Sequence, residues 1–213
     1  MRFVTDKMQI TNATIGKVWT SSYKRMNMKL YKGRFRISLL AILLSVVMSS
    51  CEGIFGSDEE IPDQVVLFQY AYINHAWGYQ HQGWLIDSSG EVHCFEQPKA
   101  WHFPDSTGTL GNEEMMLNLS MADSSCFVVS MDDLELYGGK IATASKGELT
   151  DPENVMADAG ISGYYVWVYN ASTETYHRIL LKEKGDWETE NQSAAAGAIV
   201  EWMEEVRQDI AGE

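Results

Sequence analysis

The chain has 213 residues, with 30 Asp and Glu against 16 Lys and Arg, a net charge of −14. A surface of that sign repels phosphate backbones, which excludes nucleic acid as a partner. The length suits one domain with a hydrophobic core of its own.

Near the N-terminus, Lys29, Lys32, Arg34 and Arg36 precede an apolar run from Ile37 to Met48, relieved only by Ser38 and Ser45. Ser49 and Ser50 then lead into Cys51. The run is shorter than the ~20 residues a bilayer-spanning helix needs. Its basic, apolar, small order is that of a secretory signal. The segment from Met28 to Cys51 resembles a bacterial lipoprotein signal, with Ser49-Ser50-Cys51 matching the lipobox and Met48 standing where Leu, Val or Ile is usual. The resemblance implies cleavage before Cys51 and acylation of that residue. It also implies a lipid anchor in the outer membrane, on the periplasmic side or at the cell surface. Residues 1–25 lie ahead of the basic region, so translation is expected to begin at Met26 or Met28.

Removing residues 1–50 leaves seven bases against 29 acids, a net of −22. Such a surface repels anionic headgroups, so the acyl chains alone are expected to hold the protein at the membrane. Export also bears on the remaining cysteines, Cys94 and Cys126. In an oxidising compartment they form either a disulfide, worth about 3 kcal/mol for a loop of this length, or two buried thiols.

Residues 51–63 read as an acidic, flexible tether, with Gly53, Gly56 and Asp58-Glu59-Glu60 unable to bury apolar surface. That acidic run resembles the surface-export signal of Bacteroidota lipoproteins, starting several residues later. A single domain is expected over 64–213. Alternation predicts a strand over Val65 to Ile73. Gly83 to Ile86 and Glu91 to Phe95 flank the turn formers Asp87-Ser88-Ser89-Gly90, which predicts a hairpin. Asn112 is expected to cap a helix through Met121, and Ser130 with Asp133 to cap one reaching Gly147 across Gly138-Gly139. Asp151-Pro152 predicts the start of another short helix. Tyr164 to Tyr169 and Thr175 to Leu181 form a second hairpin. Both faces of its first strand are apolar, as in a central strand. Asn191 or Ser193 caps a last helix to about Gln208. The fold class expected is α+β, an antiparallel sheet of about five strands packed by helices on one face.

Chemical signals are sparse. His75, Trp77, His81, Trp84, His93, Trp101 and His102 crowd into residues 74–103. Flat aromatic faces suit sugars and amphipathic ligands, and equally suit a small core. Trp77, in a loop beside His75, and Trp101 are the least explained by packing. Gly185-Asp186-Trp187, a turn between the last strand and last helix, offers a second candidate contact loop. The candidate ligand-binding residues are therefore His75, Trp77, His81, Trp101, Asp186 and Trp187. No H-E-x-x-H, C-x-x-C, calcium loop or G-x-S-x-G occurs, so no metal or cofactor is expected and the pattern singles out no catalytic residue. The reading is a non-catalytic envelope lipoprotein binding a small molecule, a glycan or an envelope protein. The alternative is a cell-envelope hydrolase using His and carboxylate groups within residues 74–102.

Overall fold

A computed structural model describes residues 61–123 and 125–212. The signal segment, Cys51 and the tether through residue 60 lie outside the described residues.

The domain is built on one antiparallel sheet. Five long strands carry it: β1 (Val66–Asn74), β2 (Gln80–Asp87), β3 (Glu91–Glu96), β7 (Ile161–Asn170) and β8 (Thr175–Gly185). Four short strands of two to four residues extend it: β4 (Thr109–Gly111), β5 (Phe127–Val128), β6 (Glu153–Asn154) and β9 (Trp187–Glu190). The sheet thus has nine strands, not about five, in the order β5-β3-β2-β1-β7-β8-β9-β6, with β4 also on β8. The difference lies wholly in the short strands. Two to four residues are too few to show a period, and they join the sheet through backbone pairing on edges that the long strands leave open.

Strand β7 sits between β1 and β8, so both of its edges are paired, and its side chains feed a core on each face of the sheet. Tyr164 and Val166 belong to one core, with Phe68, Trp84 and Leu181. Trp167 belongs to the other, with Ala71, Leu85 and Tyr176. Successive strand residues point to opposite faces, which is how one strand feeds two cores. The first core is closed by helix α2 (Met131–Gly138), the single turn α3 (Ile141–Ala144) and helix α4 (Ala194–Ala211). Leu134, Ile141, Ile199, Trp202 and Val206 form their buried side. Trp202 meets Phe68 edge-on at 5.0 Å and stacks on Tyr137 at 4.6 Å. The second core is closed by helix α1 (Asn112–Met121) through Met115, with Met116 and Leu119 beside it. Helices therefore cover both faces, correcting the one-faced arrangement. The signal in α1 is weak because this helix buries only Met115 and Asn118, too few for an apolar stripe.

Local chemistry accounts for most boundaries. Gly90, at φ +83°, closes the β2–β3 turn, and Asp87 Oδ1 accepts from the Ser89 and Glu91 N–H groups. Ser130 accepts from the Asp133 N–H and starts α2. The chain leaves the helix after Gly138 and resumes only at Ile141, because two glycines are poor helix formers. Asn112 is the first helical residue of α1 rather than its cap; Glu114 accepts from the Gly111 N–H. Asp151-Pro152 opens no helix. Residues 153–154 pair instead with β9, and Asn154 Nδ2 donates to the Asp186 carbonyl at 3.1 Å. Ser193 Oγ accepts from the Ala196 N–H and caps α4. Ser193→Ala is expected to lower unfolding free energy by about 1 kcal/mol in chemical denaturation, with the fold otherwise unchanged.

Cys94 and Cys126 are bonded in a disulfide, with Cα atoms 5.8 Å apart and a sequence separation of 32. It ties β3 to the segment that enters β5.

Candidate functional site

At one end of the sheet, an open cleft of about 540 Å³ lies between three segments. The end of β1 supplies Ile73, Asn74 and His75. The loop before β7 supplies Asp158 and Gly160, and the turn after β8 supplies Asp186. Hydrogen bonds fix these segments to one another. Tyr72 donates its hydroxyl hydrogen to the Ala159 carbonyl, and Asp186 Oδ1 accepts from the Ala159 N–H at 2.7 Å. The Asp186 N–H donates to the Gly160 carbonyl at 2.9 Å. Gly185 permits this approach: its φ is +128°, and a Cβ there would stand 1.9 Å from the Gly160 oxygen.

Phe103, Tyr165, Arg178 and Glu183 complete the walls. The Arg178 guanidinium lies 4.4 Å from the Tyr165 ring centre, a cation–π stack. No carboxylate lies within ion-pair distance of it among the described residues. Burial pushes the Glu183 carboxyl up, with the Arg178 charge opposing. Burial likewise raises the Tyr165 hydroxyl.

A second, much smaller cavity of about 20 Å³ shares Ile73, Phe103, Tyr165 and Arg178 with the cleft. His81 and Trp101 stand in its wall. His81 is only 1 % exposed, yet neither ring nitrogen has a hydrogen-bond partner. Buried polar atoms are normally paired, so this pair needs a reason. Aromatic rings surround the imidazole: Phe95 at 5.0 Å, Phe103 at 5.1 Å, Trp101 at 5.4 Å and Tyr79 at 6.2 Å between ring centres. Burial alone drives the His81 pKa down to about 4, so the ring is neutral at physiological pH. Asn118 of α1 positions this wall. Its Oδ1 accepts from the His102 N–H and its Nδ2 donates to the His102 carbonyl, both at 2.8 Å.

The six sequence candidates divide accordingly. His75 and Asp186 line the open cleft, and His81 and Trp101 line the cavity adjoining it. Trp77, 79 % exposed, and Trp187, 44 % exposed, line neither. Phe103, Tyr165, Arg178 and Glu183 are site residues that sequence reasoning misses. Tyr165 looks like one more core aromatic of β7. Arg178 gives one faint signal, a guanidinium just before the apolar Ile179-Leu180-Leu181 run in an acid-rich domain.

One further cluster lies at the β2–β3 turn. Asp87, Glu91 and His93 bring three potential ligand atoms within 4.8 Å of one another. Along the sequence they look unrelated, and the hairpin register makes them neighbours. Asp87 is already engaged: Oδ1 holds the turn, and Oδ2 lies 2.9 Å from His93 Nε2. Burial acts to raise this carboxyl, but bonds from Ser89, His93 and the Ser89 and Glu91 N–H groups together hold it below the usual range. A staple closing a hairpin accounts for the cluster.

Comparison with protein-family models, with curated proteins and with solved structures finds no match to the chain.

Proposed function

We propose that the chain is a lipid-anchored envelope protein that binds a small molecule or glycan in the cleft between the ends of β1 and β8. The observation that carries this reading is the cleft itself. It combines the aromatic side chains of Phe103 and Tyr165, a guanidinium at Arg178 that stacks on Tyr165 and has no ion-pair partner among the described residues, and carboxylates at Asp158, Glu183 and Asp186. Concave sites with an apolar lining and a few convergent polar groups are where ligands bind. The anchor reading rests on the sequence before Cys51, and the strongly acidic mature chain supports attachment through acyl chains rather than through headgroups.

Each half has its own test. Labelled palmitate should enter the chain and be lost in Cys51→Ser, which should leave the membrane fraction; an unlabelled wild type contradicts the anchor. Trp101 borders the site and serves as the optical reporter. A ligand from a library of small molecules and oligosaccharides should change tryptophan emission, and Arg178→Ala should weaken binding about tenfold, the value of one charge-assisted contact. Binding unaffected by Arg178→Ala would place the site elsewhere.

One observation favours a second reading, hydrolysis of the bound molecule. Glu183, its carboxyl raised by burial, lines the same cleft as Asp158 and Asp186. A carboxyl raised by burial suits a general acid, and a site with more than one carboxyl has the groups that paired acid and base chemistry uses. Time-dependent product, abolished in Glu183→Gln, distinguishes this from binding alone.

A further inference from the structure

We infer that the cavity at His81 is a hydroxyl subsite of the cleft, and that the ligand is a neutral carbohydrate. The inference rests on the reading that the cleft binds a ligand, and it names that ligand's class. Its starting point is the bare imidazole. His81 is the only histidine among the described residues with both nitrogens buried and unpartnered. The cavity it faces is continuous in lining with the cleft, sharing Ile73, Phe103, Tyr165 and Arg178.

Size limits what can enter. A cavity of about 20 Å³ accommodates one water-sized group. Charge limits it further. An ammonium taken into this pocket would lose its hydration with no carboxylate in the wall and with Arg178 repelling it; a carboxylate, which Arg178 could meet, is larger than the single water-sized group that the cavity admits. A neutral imidazole carries one donor and one acceptor, and a hydroxyl is itself both. A single hydroxyl therefore matches the cavity in volume, charge and hydrogen-bonding capacity.

The rest of the cleft extends the match. Arg178 offers only donors, whereas Asp158, Glu183 and Asp186 offer acceptors when ionised. Both kinds line the same cleft as Phe103 and Tyr165. A ring bearing several hydroxyls uses donors and acceptors alike, and its C–H face rests on an aromatic. An anion would meet three carboxylates against one guanidinium.

The test uses the full chain and an array of immobilised glycans in three classes: neutral, acidic (sialylated or sulfated) and amino-bearing. Neutral glycans should bind and the other two classes should not. The strongest binder, as a free oligosaccharide, is then titrated against wild type, His81→Phe and Arg178→Ala. His81→Phe removes the subsite's hydrogen bonding and should weaken binding tenfold or more. One deoxy analogue of the sugar should lose as much with wild type and nothing further with His81→Phe. Should His81→Phe fail to fold, the ring 15N signals of His81 in the wild type serve instead, and they should shift when the sugar is added. If only charged glycans bind, or if sugar binds with His81→Phe and the His81 signals unaffected, the inference falls while the cleft reading stands on Arg178→Ala. Binding that ignores Arg178→Ala as well overturns both, as does the absence of binding in every class.

Discussion

Replacing Cys94 and Cys126 together by alanine lowers the unfolding free energy by about 3 kcal/mol. The loop they close, with a sequence separation of 32, contains the whole of α1 and β4. Opening it lets the unfolded chain explore conformations that the bridge forbids, and for loops of this length the loss is about 3 kcal/mol. The native side of the balance changes less. The Cys126 N–H still donates to the Val92 carbonyl at 2.7 Å, and the Asp123 N–H to the Cys94 carbonyl at 2.8 Å. The segment thus keeps its place on the sheet edge. Guanidinium unfolding of wild type and double variant measures the difference. Reductant should shift the wild type to the variant's midpoint and leave the variant where it is. A wild-type midpoint indifferent to reductant contradicts the bridge's contribution.

The second large effect is acid destabilisation through His81. In the unfolded chain this histidine takes up its proton near pH 6.5; in the folded protein burial delays protonation to about pH 4. Between those values the unfolded state binds the extra proton, so stability falls as pH falls. The whole contribution is present above pH 6.5. Each further pH unit below that value costs about 1.36 kcal/mol, so about 2–3 kcal/mol is lost by pH 4.5. The groups in the surrounding wall do not offset this. Tyr79 is a neutral ring beside it, and Arg178, in the same cavity wall, disfavours a second positive charge. Asp87 also destabilises the fold on acidification, but through its own depressed carboxyl and at lower pH. His81→Phe keeps an aromatic ring without a titrating group. Denaturation series at pH 7, 6, 5 and 4.5 should therefore show wild type losing stability relative to His81→Phe at each step. Parallel curves would contradict the buried, neutral imidazole.

These residues also show what is legible in a sequence of this kind. The strands of six residues and more are readable because alternation along β1 and β7 and the turn formers between β2 and β3 are local signals. The paired strands β6 and β9 are not. Pro152 is a sound helix-start signal, but bonds from Val155 N–H and Asn154 Nδ2 to the Asp186 carbonyl draw that loop onto the sheet. A contact between residues some 30 positions apart outweighs a propensity worth a few tenths of a kcal/mol. The site is half legible for the same reason. His75 and His81 stand out as histidines among aromatics, and Asp186 as a turn residue. That Asp186 and His75 line one cleft depends on β1, β7 and β8 lying side by side. Tyr165 and Arg178 stand inside predicted strands, where nothing marks them strongly, and only the tertiary fold leaves the guanidinium without an ion pair among the described residues. Trp77 draws notice for its chemistry, yet its loop carries it away from both cavities.

The most direct test of the account is an aromatic 1H–13C chemical-shift map of the full chain, recorded as a neutral oligosaccharide is added. The account predicts saturable shifts centred on Phe103, Tyr165, His75 and the buried His81, with Trp187 and the His93 turn unmoved. Shifts gathered at Trp77, Trp187 or His93, with Phe103 and Tyr165 silent, would contradict it.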